Sequence, residues 1–136
     1  RTFTPWVALI ATFPALPLTL ENGNFISADT SGKGNAGNVA IKATQGVNVR
    51  GWLSSDVNDT AVGNSNSGGI TIDTSTLTLE NDGRITADTY GKGDAGKIEI
   101  QATEGVNVLG WLSSDVKGTA QGNSGGITID TSTLTL

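Results

Sequence analysis

The 136-residue chain has no cysteine, no methionine and no histidine. Without cysteine there is no disulfide framework and no thiolate metal site. Without histidine the side chain most used for proton transfer near neutral pH is missing too. Aromatic residues make up only 5% and hydrophobic residues 36%, low for a domain with a thick core. A thin or elongated core is expected instead. The 8 Lys and Arg are scattered, and 13 acidic residues leave a net charge of −5. That balance argues against a nucleic-acid surface or an anionic membrane as partner. The apolar run from Trp6 to Phe13 is bounded by Pro5 and Pro14, far short of the roughly 20 residues a membrane span needs. With no basic leader beyond Arg1, residues 1–10 read as an apolar cap segment rather than a signal peptide. The chain begins with Arg and stops within a repeat, so it reads as a fragment of a longer chain.

What the sequence has in quantity is glycine, 19 residues, and repetition. The stretch GGITIDTSTLTL from Gly68 to Leu79 returns unchanged from Gly125 to Leu136. Each copy alternates apolar and Thr at Ile70, Thr71, Ile72, and again at Leu77, Thr78, Leu79, a strand pattern. The polar residues Asp73 to Thr76 read as a short turn between two strands. Around this mark residues 18–76 and 77–136 form two strong copies, identical at roughly three quarters of paired positions. The one slip in the alignment is placed at Asn66 and Ser67. Shifting Ile70, Thr71, Ile72 back by about one repeat lands on Ala11, Thr12, Phe13, so the repeat is expected to begin near Ala11.

A weaker repeat lies inside the first. ITIDTSTLTLENDGRITAD from Ile70 aligns with IEIQATEGVNVLGWLSSD from Ile98, giving a unit of about 28 residues: three short strands and a Gly-rich loop. Recurrent Gly, Thr, Ser, Val and Ile exclude helices over most of the chain. An antiparallel sandwich would leave the inner repeat unexplained. The pattern predicts an all-β fold, a right-handed single-stranded parallel β-helix (solenoid) of about four coils over residues 11–136. Ile70, Ile72, Leu77, Leu79, Ile85, Ile98, Ile100, Val106, Val108 and Leu112 are expected inside. Thr71, Thr78, Thr86, Glu99 and Asn107 are expected outside.

The text LTLENGNFISADTSGKGNAGNVAI from Leu18, with the later GGITIDTSTLTL, resembles the repeats of filamentous-haemagglutinin-type exoproteins of Gram-negative bacteria. The resemblance covers residues 18–136. It implies export by two-partner secretion through an outer-membrane partner of the full-length chain, a secreted or cell-surface location, and an adhesive role. Nothing from Arg1 to Pro17 resembles the secretion domain of such proteins, so the segment would be shaft.

Four sets of residues invite a chemical reading. Asp29, Asp56, Asp88 and Asp115 close the third strand of successive units and would form a column. Paired carboxylates hydrolyse glycosides, but an inverting pair stands about 6.5–9.5 Å apart, and neighbouring coils are about 4.8 Å apart. Turn capping is the plainer role, and neither a catalytic nor a metal-ligating residue is assigned. GxGxxG occurs at Gly32, Gly34, Gly37 and at Gly91, Gly93, Gly96, yet strand-like text follows where a phosphate-binding helix would have to open. These glycines read as turn formers with positive φ. Outward Thr residues are interrupted by Ala40, Glu99, Asn48 and Asn107, which spoils an ice-binding array. Phe25, Trp52, Arg84 and Trp111 precede the third strand and would stack outside as a ladder able to bind a ligand, with Arg84 between two Trp rings. The expectation is therefore a non-enzymatic shaft segment of an adhesin-like exoprotein, without cofactor, offering an elongated surface to cell-surface glycans or proteins. A β-helical polysaccharide-active enzyme or a carbohydrate-binding module is the alternative.

Overall fold

Thr and Ile alternate because each strand is lined on one side by core and on the other by solvent, and the fold repeats that division coil after coil. The computed structural model describes residues 9–13, 16–31, 33–58 and 65–136. Among them all regular structure is β. The first coil carries β1 (Leu9–Phe13), β2 (Leu18–Leu20) and β3 (Phe25–Ser27). The second carries β4 (Val39–Ala43), β5 (Val47–Val49) and β6 (Trp52–Ser54). In the third, first and second strands fuse into β7 (Ile70–Leu79), followed by β8 (Arg84–Thr86). The fourth repeats this with β9 (Ile98–Val108) and β10 (Trp111–Ser113), and β11 (Ile127–Thr131) and β12 (Leu134–Thr135) open a fifth. Every pairing between these strands is parallel and joins neighbouring coils, with a spacing of about 29 residues. The chain is a β-solenoid of about four turns.

Register stacks like upon like. Val39, Ile70, Ile98 and Ile127 form one column and Ile41, Ile72, Ile100 and Ile129 the next. Val47, Leu77 and Val106 form another, as do Val49, Leu79 and Val108. Ile26, Leu53, Ile85 and Leu112 close the third side. Of the positions expected inside, all but Val108 and Leu112 are fully buried, and those two pack against the core. Burying each large side chain contributes roughly 1.5–3 kcal/mol. The narrow prism they fill explains how 36% hydrophobic residues suffice. Thr71 points out, while Thr78, Thr86, Glu99 and Asn107 are half-covered by the coils above and below.

Four local expectations need revising. The polar run Asp73 to Thr76 is not a turn that leaves the sheet: β7 continues through it, with a register shift against β9 between Thr74 and Thr76. Thr74 points inward and donates to its neighbour Thr76 carbonyl at 3.1 Å, while the Ser75 hydroxyl donates to the Gln45 carbonyl one coil below. Ala11 stacks on Ile41 and hence in line with Ile72, not with Ile70. The first corner of that coil is two residues longer than the third coil's, which the repeat alignment had not allowed for. The alignment slip falls before Ser65 rather than at Asn66 and Ser67. Asn66 N–H donates to Asn35 Oδ1, and Asp94 N–H donates to Asn66 Oδ1, so Asn66 keeps the common register. Of the GxGxxG glycines described, Gly34 and Gly93 have positive φ. Gly37 and Gly96 are instead places of close coil-to-coil approach: a Cβ on Gly96 would stand 1.7 Å from the Gly68 carbonyl oxygen.

Candidate functional site

The third strands and the residues after them present four outward columns, because every second residue faces solvent. Phe25, Trp52, Arg84 and Trp111 form the first, in register on successive coils as the sequence implied. Ser27, Ser54, Thr86 and Ser113 form the second. Asp29, Asp56, Asp88 and Asp115 form the third. The fourth is Ser31, Asn58, Tyr90 and Lys117. Between the aromatic column and the last two runs a trough of about 570 Å³, floored by Ser54 and Thr86.

The aromatic column owes its place to glycine. The short turns Arg50–Gly51 and Leu109–Gly110 tuck beneath the carbonyls of the preceding coil. A Cβ on Gly51 would meet the Asn24 oxygen at 2.2 Å, and one on Gly110 the Glu80 oxygen at 2.2 Å. The chain must turn tightly there, and the next residue, Trp52 or Trp111, emerges at the surface. Trp52 is 55% and Trp111 56% exposed. Arg84 places its guanidinium 5.1 Å from the Trp52 ring centre, and Lys117 its ammonium 5.6 Å from the Trp111 ring centre. Each indole is thus steadied by a cation, a contact that stabilises by about 0.5–1 kcal/mol when exposed. Arg84 lies between the two Trp residues in register, and the cation over Trp111 comes from Lys117, which the sequence reading had not singled out.

The aspartate column is held in a different way. The Ala28 carbonyl accepts from Gly37 N–H, and the Ala87 carbonyl from Gly96 N–H. Those carbonyls are therefore turned away from the ladder, and the Asp29 and Asp88 carboxylates stand in for them, with Asp56 accepting in the same way between them. Asp56 N–H donates to Asp29 Oδ1 at 2.7 Å, Asp88 N–H to Asp56 Oδ1 at 2.7 Å, and Asp115 N–H to Asp88 Oδ1 at 2.8 Å. The second oxygens of Asp29 and Asp56 accept from Ser54 and Thr86 hydroxyls at 3.0 and 2.9 Å. Asp88, only 2% exposed, also accepts from Ser113 at 2.7 Å and lies 3.7 Å from Lys117 Nζ. Capping is what this geometry accomplishes: each carboxylate ties its coil to the next. Loop residues Asn35, Asn66, Asp94 and Asn123 repeat the device, each side chain accepting the next one's backbone N–H.

No protein-family model, curated protein or solved structure matches this chain.

Burial, first, and the flanking Asp29 and Asp88 charges raise the Asp56 pKa to about 6 against the opposing pull of its hydrogen bonds. Lys117, donating at 2.8 Å, holds Asp115 below its usual value and is itself raised by that bond. Among the described residues no group of three or more His, Cys, Asp or Glu is arranged to hold a metal ion. No helix among them is long and apolar enough to cross a membrane. Sequence reasoning missed Ser54, Thr86 and Ser113, which had no motif of their own. It also missed the alternation of turn length before the third strand: ENGN at Glu21 and ENDG at Glu80, against RG at Arg50 and LG at Leu109. That signal was legible in the text.

Proposed function

We propose that this chain is a structural shaft segment of a large secreted or surface-exposed adhesin-like exoprotein, presenting an elongated surface for cell or carbohydrate contacts. The observation that carries the reading is the parallel stacking of equivalent strands coil upon coil, the first and second strands from the first coil into the fifth and the third strand through four coils. Such a rod is held by nearest-neighbour contacts, so length can be added without redesign. The asparagine and aspartate columns serve the same end by tying each coil to the next. The resemblance of residues 18–136 to filamentous-haemagglutinin-type repeats adds the extracellular location and the outer-membrane secretion partner of the full-length chain. The rod acts mechanically, with no cofactor and no catalytic step.

The competing reading, a polysaccharide-active enzyme, draws on one observation, the raised pKa of Asp56 in a solvent-open trough. Against it stands the engagement of both Asp56 oxygens within the ladder.

Duplicating residues 68–124 in place tests the shaft. The joint regenerates the native text, because GGITIDTSTLTL follows in both settings. Two added coils should lengthen the particle in small-angle scattering by about 9.6 Å, with no loss of thermal stability. Beads coated with the chain should adhere to cells or glycan surfaces. A collapsed or unfolded product defeats the shaft reading. Polysaccharide cleavage that disappears in Asp88→Asn and Asp115→Asn would replace it with an enzyme.

A further inference from the structure

Polar side chains left without partners gather on one flank of the aromatic column. The four-residue turns Glu21 to Asn24 and Glu80 to Gly83 stand out beyond the two-residue turns of the coils between them. A notch results over the second coil, with a volume of about 540 Å³. Trp52 lines it from the second coil, Asn22 from the first, Asn81, Asp82 and Arg84 from the third, and Leu109 and Trp111 extend it toward the fourth. Among the described residues the side chains of Asn22, Asn81 and Asp82 make no hydrogen bond or ion pair. The trough on the other flank differs, since its carboxylates are spent on the ladder.

An indole beside unspent amide and carboxylate groups matches the two faces of a pyranose ring, apolar C–H on one side and hydroxyls at the rim. Asp82 and Arg84 both line the notch, so their formal charges cancel, and Glu21 and Glu80 on the same turns are paired with Arg50; a lining without net charge fits a neutral sugar rather than a polyanionic one. Trp52 and Trp111 are two coils apart, about 9.6 Å along the axis. One coil is close in length to one ring of an extended glycan, so the two indoles fall in step with alternate rings. We infer that the notch is a binding subsite for a neutral, extended pyranose chain lying along the rod, with the exposed parts of Trp52 and Trp111, beside the cations that lie over their rings, as successive contact positions. This rests on the reading of the rod as a contact surface and names the ligand class of that surface.

Indole fluorescence of the 136-residue chain would be followed during titration with β-1,4-linked gluco-, manno- and xylo-oligosaccharides, disaccharide against hexasaccharide, and with a galacturonate oligomer for comparison. At least one neutral hexasaccharide should bind about tenfold more tightly than its disaccharide, because only the longer chain reaches both indoles. Trp111→Ala should bring the hexasaccharide down to the disaccharide value. Asn81→Ala combined with Asp82→Ala should weaken binding severalfold with an unchanged Tm, since these exposed turn side chains support nothing in the fold. Absence of neutral-sugar binding at millimolar concentration, preference for the galacturonate oligomer, or binding indifferent to the Asn81 and Asp82 changes would overturn the subsite. If the duplicated rod still lengthens while no sugar binds, the subsite falls and the shaft stands.

Discussion

The two flanks of the aromatic column use similar residues to opposite ends. On one side Asp29, Asp56 and Asp88 are consumed by the coil above, each accepting a backbone N–H and a hydroxyl. On the other, Asn22, Asn81 and Asp82 hang from turns and touch no polar partner among the described residues. A carboxylate that repeats on every coil and has its oxygens filled is a structural part. A polar group that repeats on every second coil and is left open is available to something outside. Periodicity alone does not separate the two cases, whereas hydrogen-bond saturation does.

Both flanks depend on the shared interior, so the largest effect is expected there. Ile100→Asp places an uncompensated charge in the Ile41, Ile72, Ile129 column and should cost more than about 4 kcal/mol, unfolding neighbouring coils together. Thr78→Asp, on the outer face, should cost under about 1 kcal/mol. Equal losses in thermal unfolding would mean that inside and outside have been confused. Asp88→Ala comes next: it strands the Asp115 N–H, leaves the Ser113 hydroxyl only its longer bond to Asp115 and removes a partner of Lys117, for a loss of about 2–4 kcal/mol. A loss no greater than that of Asp82→Ala would erase the distinction between the flanks.

Protonation offers a finer probe of the filled flank. Because the folded-state pKa of Asp56 lies near 6, above its ordinary 3.8, the folded chain binds a proton more readily than the unfolded one between those values. The contribution is complete below about pH 4 and is lost as pH rises through 6, by at most about 3 kcal/mol for a shift of some two units. Solvent on the open side of the trough reduces that figure. Asp115, lowered by Lys117, acts in the opposite sense, its contribution vanishing as pH falls through its folded pKa. Asp56→Asn keeps an acceptor for Asp88 N–H and removes the charge between Asp29 and Asp88. It should raise Tm at pH 7 and flatten the rise in stability from pH 7 to 5. A lower Tm at pH 7 would show that the ladder needs the charge. Smallest of all, Asn81→Ala should shift stability by less than about 0.5 kcal/mol in denaturant unfolding.

Much of the rod was legible because a solenoid writes its contacts into its text. Partners one coil apart recur at the same phase, so aligning Ile70 with Ile98 found the pairing of β7 with β9, and aligning Trp52 with Arg84 found that of β6 with β8. The inward residues and the column Phe25, Trp52, Arg84, Trp111 followed. Corners were less legible. The Asp73 to Thr76 run looked like a turn because polar residues that bond back to their own or a neighbouring coil look the same as loop residues in one dimension. The slip near Ser65 was misplaced because NSNSGG offers two equal alignments, and only the Asn35, Asn66, Asp94, Asn123 ladder distinguishes them.

Sequence by itself determined that this chain is a stack of three-stranded units with an apolar interior and a Trp-bearing edge, because period-two alternation and near-identical repetition have no other economical folding solution. Tertiary structure decided which outward groups are spent and which are free. That depends on where the Ala28 and Ala87 carbonyls turn and on how far one turn projects beyond the next. Both are relations between coils about 29 residues apart, set by hydrogen-bond direction and backbone contact rather than by residue type. Asp88 and Asp82 have the same side chain. Only the coil above one of them makes it a cap and leaves the other at the rim of a notch.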